Sequence, residues 1–432
     1  MPTSKKLQSR WRSRRRRSAC AWLLRIVVSS AILTVAYPAG AGLNIWTGGG
    51  PLGSPVTGLA VDPSQAGVVY AATAGKGVFK STDGGDTWRT SGMGLGETYV
   101  ESIAVHPTVS STLYAASPNR GFFTSTDSGA NWIAANDGLL SSSAHRLAAG
   151  PAELFVSTNE GVFKSLQGGA WTATGLHTDG DDPSGSDPSL HGFIACLALE
   201  PSTATLFACY FTWIGEAGPG WQLLRSADGG DTWEPADLPT TGGPVAVAIG
   251  SGGAGTVYVA TYETFQVSSR VVSSSDGGET WDSVGGAMGG CKSGCRVHAL
   301  AVDAALPTTL YASTDNGVYA YTRGGAGWLP LDDGLDGRLV SSIAVDPSDP
   351  SVVHAGTSDG VFTIRRQTSC SGDCDGNGAV GISELVTIVD IAMGAQPIEA
   401  CTVDMPDDGR MGISDIVAAV EHALRGCSGR EA

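Results

Sequence analysis

Ser81-Thr82-Asp83-Gly84-Gly85-Asp86-Thr87-Trp88 returns as Ser125 to Trp132, Ser226 to Trp233 and Ser274 to Trp281, each time as Ser-x-Asp-x-Gly-x-x-Trp. A carboxylate in a tight turn can accept bonds from backbone N–H groups, glycine supplies positive φ, and tryptophan can seal the hairpin against its neighbour. Worn copies end at Trp171 and Trp328, where Gln167 and Arg323 stand in the place of the aspartate. The six tryptophans lie 44, 39, 62, 48 and 47 residues apart, near the ~40–45 residues of a four-stranded propeller blade.

Upstream of these turns the chain repeats three short apolar segments. The first is typified by Leu59-Ala60-Val61-Asp62-Pro63, the second by Tyr70-Ala71-Ala72-Thr73 and the third by Gly77-Val78-Phe79. Short strands punctuated by Gly, Pro and Asp indicate an all-β fold. Seven copies of the triplet occur, the last around Ile343, His354 and Val361. Only six tryptophan-bearing fourth strands follow them. The missing one stands at the front, where Ile45-Trp46-Thr47-Gly48 precedes Pro51-Leu52-Gly53 as Thr87-Trp88-Arg89-Thr90 precedes Met93-Gly94-Leu95. The spacing therefore predicts a seven-bladed propeller over 43–367 whose last blade receives its outer strand from the N-terminal side, so that no terminal blade is left incomplete.

The turns resemble the Asp-box (BNR) repeat, and the chain resembles photosystem II assembly factor-like, sortilin-type and xyloglucanase-type propellers. In those families the boxes lie away from the active face, which implies a structural role for Asp83, Asp127, Asp228 and Asp276. Sialidases share the box too, but the chain has no Arg-Ile-Pro segment and its arginines are scattered. Gly356-Thr357-Ser358-Asp359-Gly360 matches G-x-S-x-G but falls between two strands rather than on a strand-to-helix elbow.

Functional candidates sit where blades depart from the minimal repeat, on the face opposite the boxes. That face receives the turns between second and third strands and the links to the next blade. Residues 177–190 are rich in aspartate, including Asp181; 212–220 carry Trp213 and Glu216, with Trp221 next; 262–266 carry Tyr262 and Glu263; and 285–296 contain Cys291 and Cys295. Rings stack on sugar faces while carboxylates bond hydroxyls or act as acid and base. Trp213, Trp221 and Tyr262 are thus ligand-binding candidates, and Glu216, Glu263 and Asp181 are catalytic ones.

Nine of the 26 basic residues and none of the 42 acidic ones lie in the first 42 positions. A basic start, the apolar run 26–37 and Ala39-Gly40-Ala41 describe an export signal over 1–41, with Sec and twin-arginine routes both open. This indicates a secreted or periplasmic protein without a membrane span after processing. The remainder carries 17 basic against 42 acidic residues, a net charge of −25, which disfavours nucleic acid as a partner. Eight cysteines remain beyond Cys20, an even number suited to disulfides: Cys196 with Cys209, Cys291 with Cys295, and a C-terminal set of four whose pairing is open.

From 368 to 428 the composition changes. Asp373, Asp375, Asn377, the Ala379 carbonyl and Glu384 occupy positions 1, 3, 5, 7 and 12 of a calcium loop, with Gly378 at position 6. A helix follows, with Leu385, Ile388, Val389 and Ala392 on one face. Thirty-one residues on, Asp404, Asp408, the Arg410 carbonyl and Asp415 repeat the pattern more weakly, because Pro406 replaces a ligand. Two such loops, each leading directly into a helix, resemble a dockerin, which implies Ca2+ at one strong and one weaker site and a cohesin-like protein or cell-surface scaffold as partner. These features favour a secreted binding protein for a glycan or protein ligand. The alternative is an extracellular glycoside hydrolase of xyloglucanase type.

Overall fold

The computed structural model describes residues 45–366, apart from 52, 167, 179–191, 215–217, 251–254, 264–267, 287, 289–294, 304–308 and 324–326, together with 382–393, 395, 416–417 and 419–420. Within 45–366 are seven antiparallel four-stranded sheets. The first blade runs outward through Val56–Val61, Val69–Thr73, Val78–Ser81 and Arg89–Thr90, and the next five repeat that order. In the seventh, Val340–Val345, Val352–Thr357 and Gly360–Arg365 are completed by Thr47–Gly50, which pairs antiparallel with Gly360–Arg365. Each innermost strand neighbours the next, and that of the seventh blade neighbours that of the first. The ring is closed by residues from opposite ends of the array.

Second strands are buried because each is flanked within its sheet and covered by adjacent blades. One position repeats a large ring: Tyr70, Tyr114, Phe155, Phe207, Tyr258 and Tyr311 are all buried. In the seventh blade His354 takes that place. It is fully enclosed, with Nδ1 2.9 Å from Thr363 Oγ1 and Nε2 without a partner.

Tryptophans fasten four of the seven junctions between blades. Trp132, Trp171, Trp328 and Trp46 donate their indole N–H to Ser91, Ala135, Val284 and Leu331 carbonyls of the preceding blade at 2.9, 2.8, 3.0 and 2.7 Å. The backbone N–H groups of Trp132, Trp171 and Trp46 also bond Met93, Asp137 and Asp333, each at 2.8 Å. Immediately after those acceptors stand Gly94, Gly138 and Gly334, at φ +96°, +87° and +94°, where a Cβ would lie 2.2–2.3 Å from the tryptophan carbonyl. Glycine is needed twice over here, for the left-handed backbone and for the approach. Trp88 and Trp233 are half-buried and bond Gly85 and Gly230 of their own turns instead.

Cys196 and Cys209 face each other across Gly192–Glu200 and Thr205–Ile214 with Cα atoms 4.9 Å apart and form a disulfide, as the sequence indicates. Cys295 is disulfide-bonded as well; Cys291 lies outside the described residues, as do Cys370, Cys374, Cys401 and Cys427. In the C-terminal region Ile382–Ala392 is a helix. Among its described side chains Glu384, Ile388 and Ile391 are buried, while Ala392 is exposed. The apolar face is therefore turned toward the larger Ile391 rather than Ala392. The export segment, and the predicted ligands Asp373, Asp375, Asn377, Ala379, Asp404, Asp408, Arg410 and Asp415, lie outside the described residues.

Two tests follow from this architecture. Trp46→Ala removes a buried ring and the closing bond and should cost about 3–5 kcal/mol by urea unfolding, whereas the half-buried Trp88→Ala should cost less than half of that; equal costs would show that Trp46 is not the fastening of the ring. Burial depresses the His354 pKa to about 4, partly countered by Asp346. Unfolding therefore takes up a proton below the ordinary pKa of 6.5, so stability should fall as pH drops from there toward 4 by roughly 3 kcal/mol. His354→Phe should flatten that slope, measured as Tm against pH.

Candidate functional site

The four repeated turns between third and fourth strands are closed local networks. In the first, Ser81 Oγ donates to Asp83 Oδ1 at 2.7 Å, Gly85 N–H donates to Ser81 Oγ at 2.9 Å, and Thr87 N–H reaches Asp83 Oδ1 at 2.9 Å. Asp127, Asp228 and Asp276 repeat the pattern with Asn131, Thr232 and Thr280. These bonds hold the carboxyls of Asp127 and Asp228 down to about 2, and Asp276 is also lowered, Thr280 first among its donors. Both oxygens of each carboxylate accept bonds inside the turn, which favours ionisation without any external cation.

Across the ring, at the starts of the innermost strands, side chains from five blades meet in a cavity of about 280 Å³ on the axis. Glu101 enters from the second blade, His145 and Arg146 from the third, Phe193 from the fourth, Val245 from the fifth, and Arg296 and His298 from the sixth. They converge because every innermost strand begins on this face, so its first residues point toward a common centre. This is the face opposite the repeated turns.

The charges that the second and third blades bring to the cavity are paired. Glu101 Oε2 is 2.9 Å from His145 Nδ1, and Glu101 Oε1 is 3.2 Å from an Arg146 guanidinium nitrogen. His145 Nε2 lies 2.9 Å from both Asn159 Oδ1 and Ser143 Oγ, so both ring nitrogens have hydrogen-bond partners. The bond to Glu101 raises the His145 pKa against the opposing effect of burial. For Glu101, burial pushes upward, but the His145 bond and Arg146 prevail and the carboxyl is lowered. On the sixth blade His298 Nε2 is 2.5 Å from Asp315 Oδ1. Arg296 lies over the Tyr262 ring at 5.8 Å.

One wall rises above the mouth. The fourth blade has the longest strands, Gly192–Glu200, Thr205–Ile214 and Gly218–Ser226, because the inserted residues extend the hairpin instead of forming an irregular loop. Phe193, Phe211 and Trp221 form a cluster there, with ring centroids 4.5–6.0 Å apart. Phe193 is 47% exposed and joins this cluster to the cavity.

Of the residues singled out from sequence, Trp221 and Tyr262 thus stand just behind the mouth, one contacting Phe193 and the other under Arg296. Trp213 falls within Thr205–Ile214, near the tip of the hairpin. Glu263 does not line the cavity; it is buried, with Oε1 3.6 Å from Arg270 Nε and Oε2 lacking a hydrogen-bond partner. Glu216 and Asp181 lie outside the described residues. Glu101, His145, Arg146, Phe193 and His298 are site residues that sequence reasoning did not find, while Arg296 ends the segment 285–296 that it singled out. The one available signal was the large charged pair His145-Arg146 at the head of an innermost strand, where the first and seventh blades have Thr57-Gly58 and Ser341-Ser342. Among the described residues no group of His, Cys, Asp and Glu is arranged to hold a metal ion, and no helix is long and apolar enough to cross a membrane.

No family model matches this chain, and no curated protein matches it in sequence. Solved structures share its fold. It is similar to the GH74 xyloglucanase from Xanthomonas campestris (TM-score 0.57, 19% identity, covering 74% of this chain and 53% of that one). It is similar likewise to the GH74 enzyme from Niastella koreensis (TM-score 0.56, 21% identity, 74% and 53%). It is also similar to YCF48 in a complex with D1 peptide (TM-score 0.55, 16% identity, 76% and 98%). The chain spans about half the length of the two glycoside hydrolases. These likenesses define the class, a seven-bladed β-propeller.

The Glu101–His145 pair predicts a titration. His145 gains stability from its partner below the unfolded pKa, and that gain is lost as pH rises through the raised folded value. Glu101→Gln should bring the His145 pKa down by at least about one unit, followed by NMR of the imidazole nitrogens; an unmoved titration would mean that the two groups do not interact in solution.

Proposed function

We propose that this chain is an exported propeller that binds an extended polar ligand, a glycan or a protein segment, across the mouth of its axial cavity. The reading is carried by one observation: a cavity edged with fixed ionic and hydrogen-bonding groups is continuous, through Phe193, with an aromatic wall. Rings offer a face to a sugar or an apolar side chain, and the paired charges are already oriented, so little ordering cost accompanies binding. A peptide bound to YCF48 and the xyloglucanase activity of a GH74 neighbour are both consistent with a polymer lying on a propeller face.

Binding is favoured over hydrolysis by the state of the carboxylates. Glycoside cleavage calls for one carboxyl group that stays protonated until it donates. Glu101, the carboxylate at the cavity among the described residues, is instead held ionised by His145 and Arg146. The hydrolase alternative rests on the GH74 likeness together with Glu216, Glu263 and Asp181.

For residues 368–428 we retain the dockerin-like reading, with Ca2+ held by the two loops and a cohesin-like protein or cell-surface scaffold as partner. In support, Glu384 is a buried acidic residue in the first turn of the helix Ile382–Ala392, which suits a twelfth-position ligand. The Asp-box aspartates Asp83, Asp127, Asp228 and Asp276 are assigned to turn structure.

The deciding experiment is a glycan and peptide array probed with the purified protein and its Trp221→Ala variant, with and without EDTA. Binding should be lost or weakened about tenfold or more in Trp221→Ala, and should survive EDTA, which acts on the C-terminal module alone. Release of reducing sugar from any bound glycan would replace this reading with the hydrolase.

A further inference from the structure

Ser143 Oγ lies 2.9 Å from His145 Nε2, and the other ring nitrogen, Nδ1, lies 2.9 Å from Glu101 Oε2. A hydroxyl, an imidazole and a carboxylate are thus joined in series across two blades. Ser143 and His145 flank Ala144 at the head of the third blade's innermost strand, and Glu101 stands just before that of the second. This is the constellation of an acyl-transfer triad, which is recognised by geometry and roles rather than by order in the chain. Among the described residues no other histidine links a hydroxyl to a carboxylate: His298 bonds Asp315, while His106 and His354 bond threonine hydroxyls without a bonded acid. Ser358, the serine of the G-x-S-x-G match, donates to Asp359 at 3.3 Å instead.

Each member has a role to fill. With Glu101 accepting from Nδ1–H, the neutral ring turns the lone pair of Nε2 toward Ser143, so it can take the serine proton as the hydroxyl attacks. Asn159 Oδ1, also 2.9 Å from Nε2, can accept from the N–H that then forms, and Glu101 faces the other nitrogen; both favour the imidazolium. Arg146 and Arg296 line the same cavity and supply positive charge where a carbonyl oxygen becomes an oxyanion. His145 and Asn159 are lining residues too, so the Ser143 hydroxyl is one hydrogen bond from the cavity wall. Ser143 keeps only 8% of its surface exposed, which admits a short acyl group and excludes a long one.

We propose that Ser143, His145 and Glu101 give this chain a second function, the hydrolysis of carboxylic esters with a short acyl group at the axial cavity. Ser143 Oγ bonds to the acyl carbon and its proton passes to His145 Nε2; the ester C–O bond breaks and the alcohol leaves with that proton. Water then attacks the acyl–Ser143 ester, giving its proton to His145 and its hydroxyl to the acyl carbon, and Ser143 departs with the proton as the carboxylic acid is released. Ser143 and His145 are the catalytic residues. Glu101 acts through His145 and is a positioning residue. The proposal shares its cavity with the binding reading above and does not depend on a polymer being held there.

The test follows release of p-nitrophenolate from p-nitrophenyl acetate by the whole protein, together with labelling by a fluorophosphonate and mapping of the label by mass spectrometry. The acetate should be cleaved faster than the octanoate, and the label should sit on Ser143. Ser143→Ala and His145→Ala should each lower kcat/KM about a hundredfold or more with Tm unchanged, whereas Ser142→Ala, a change at the exposed neighbour, should alter neither rate nor labelling. The rate should climb as pH rises through the raised pKa of His145, because only the neutral ring accepts the serine proton. Glu101→Gln should lower kcat about tenfold or more with KM little changed, and should carry that rising limb to lower pH, a shift that a merely structural role would not produce. Hydrolysis by Ser143→Ala at the parent rate, a label on Ser358 or elsewhere, or faster cleavage of the octanoate would overturn the proposal. Polymer binding on the array with the acetate left intact would overturn it while leaving the binding reading in place, and cleavage without any array binding would do the reverse.

Discussion

The structure depends on the antiparallel pairing of Thr47–Gly50 with Gly360–Arg365. Each blade buries one sheet face against the blade before it and the other against the blade after it, so the first and the seventh blade are each covered on both faces only when the ring is closed. Closure brings together residues 285 to 316 positions apart: Thr47 Oγ1 bonds the Thr363 carbonyl at 3.3 Å, and Ser341 Oγ on the seventh innermost strand reaches Val56 on the first. Trp46 then bonds Leu331 and Asp333, repeating at this junction the fastening that Trp132 and Trp171 provide elsewhere. The entropy lost in joining distant segments is offset by burying two sheet faces at once.

A ring built from repeats makes departures informative, because each position has six counterparts under nearly the same constraints. His354 stands where the others place a large aromatic ring, and His145-Arg146 stands where the first and seventh blades place Thr57-Gly58 and Ser341-Ser342. Neither is unusual by itself. Compared with their counterparts, one is a buried polar group with an unsatisfied nitrogen and the other is a charged pair that reaches Glu101 of the neighbouring blade. Positions that follow the repeat, such as Asp83, Asp127, Asp228 and Asp276, turn their polar atoms inward on their own turns and leave little for a ligand.

How far the sequence could be read differed between fold and site for a physical reason. Strand triplets, the count of seven and the displaced outer strand at Trp46 were legible because each is a local pattern of apolar and turn residues repeated many times. The Cys196–Cys209 bond was legible because the two residues face each other on adjacent strands of one hairpin. The axial site was not. Glu101, His145, Phe193 and His298 lie in four separate blades, each at the head of a strand where polar residues are ordinary. Sequence attention went instead to the insertions, and these proved to lie beside the site: Trp221 backs Phe193 and Tyr262 lies under Arg296.

The amino-acid sequence by itself determined the repeat, the number of blades, the face on which variation collects, and the residues able to close the ring, since these follow from local periodicity and turn chemistry. Only the tertiary structure decided which side chains share the axis, which charges are neutralised, and which carboxylate meets a histidine. Those relations are distances across blades, and a chain folded into a ring sets such distances through its closure and radius rather than through any one stretch of residues.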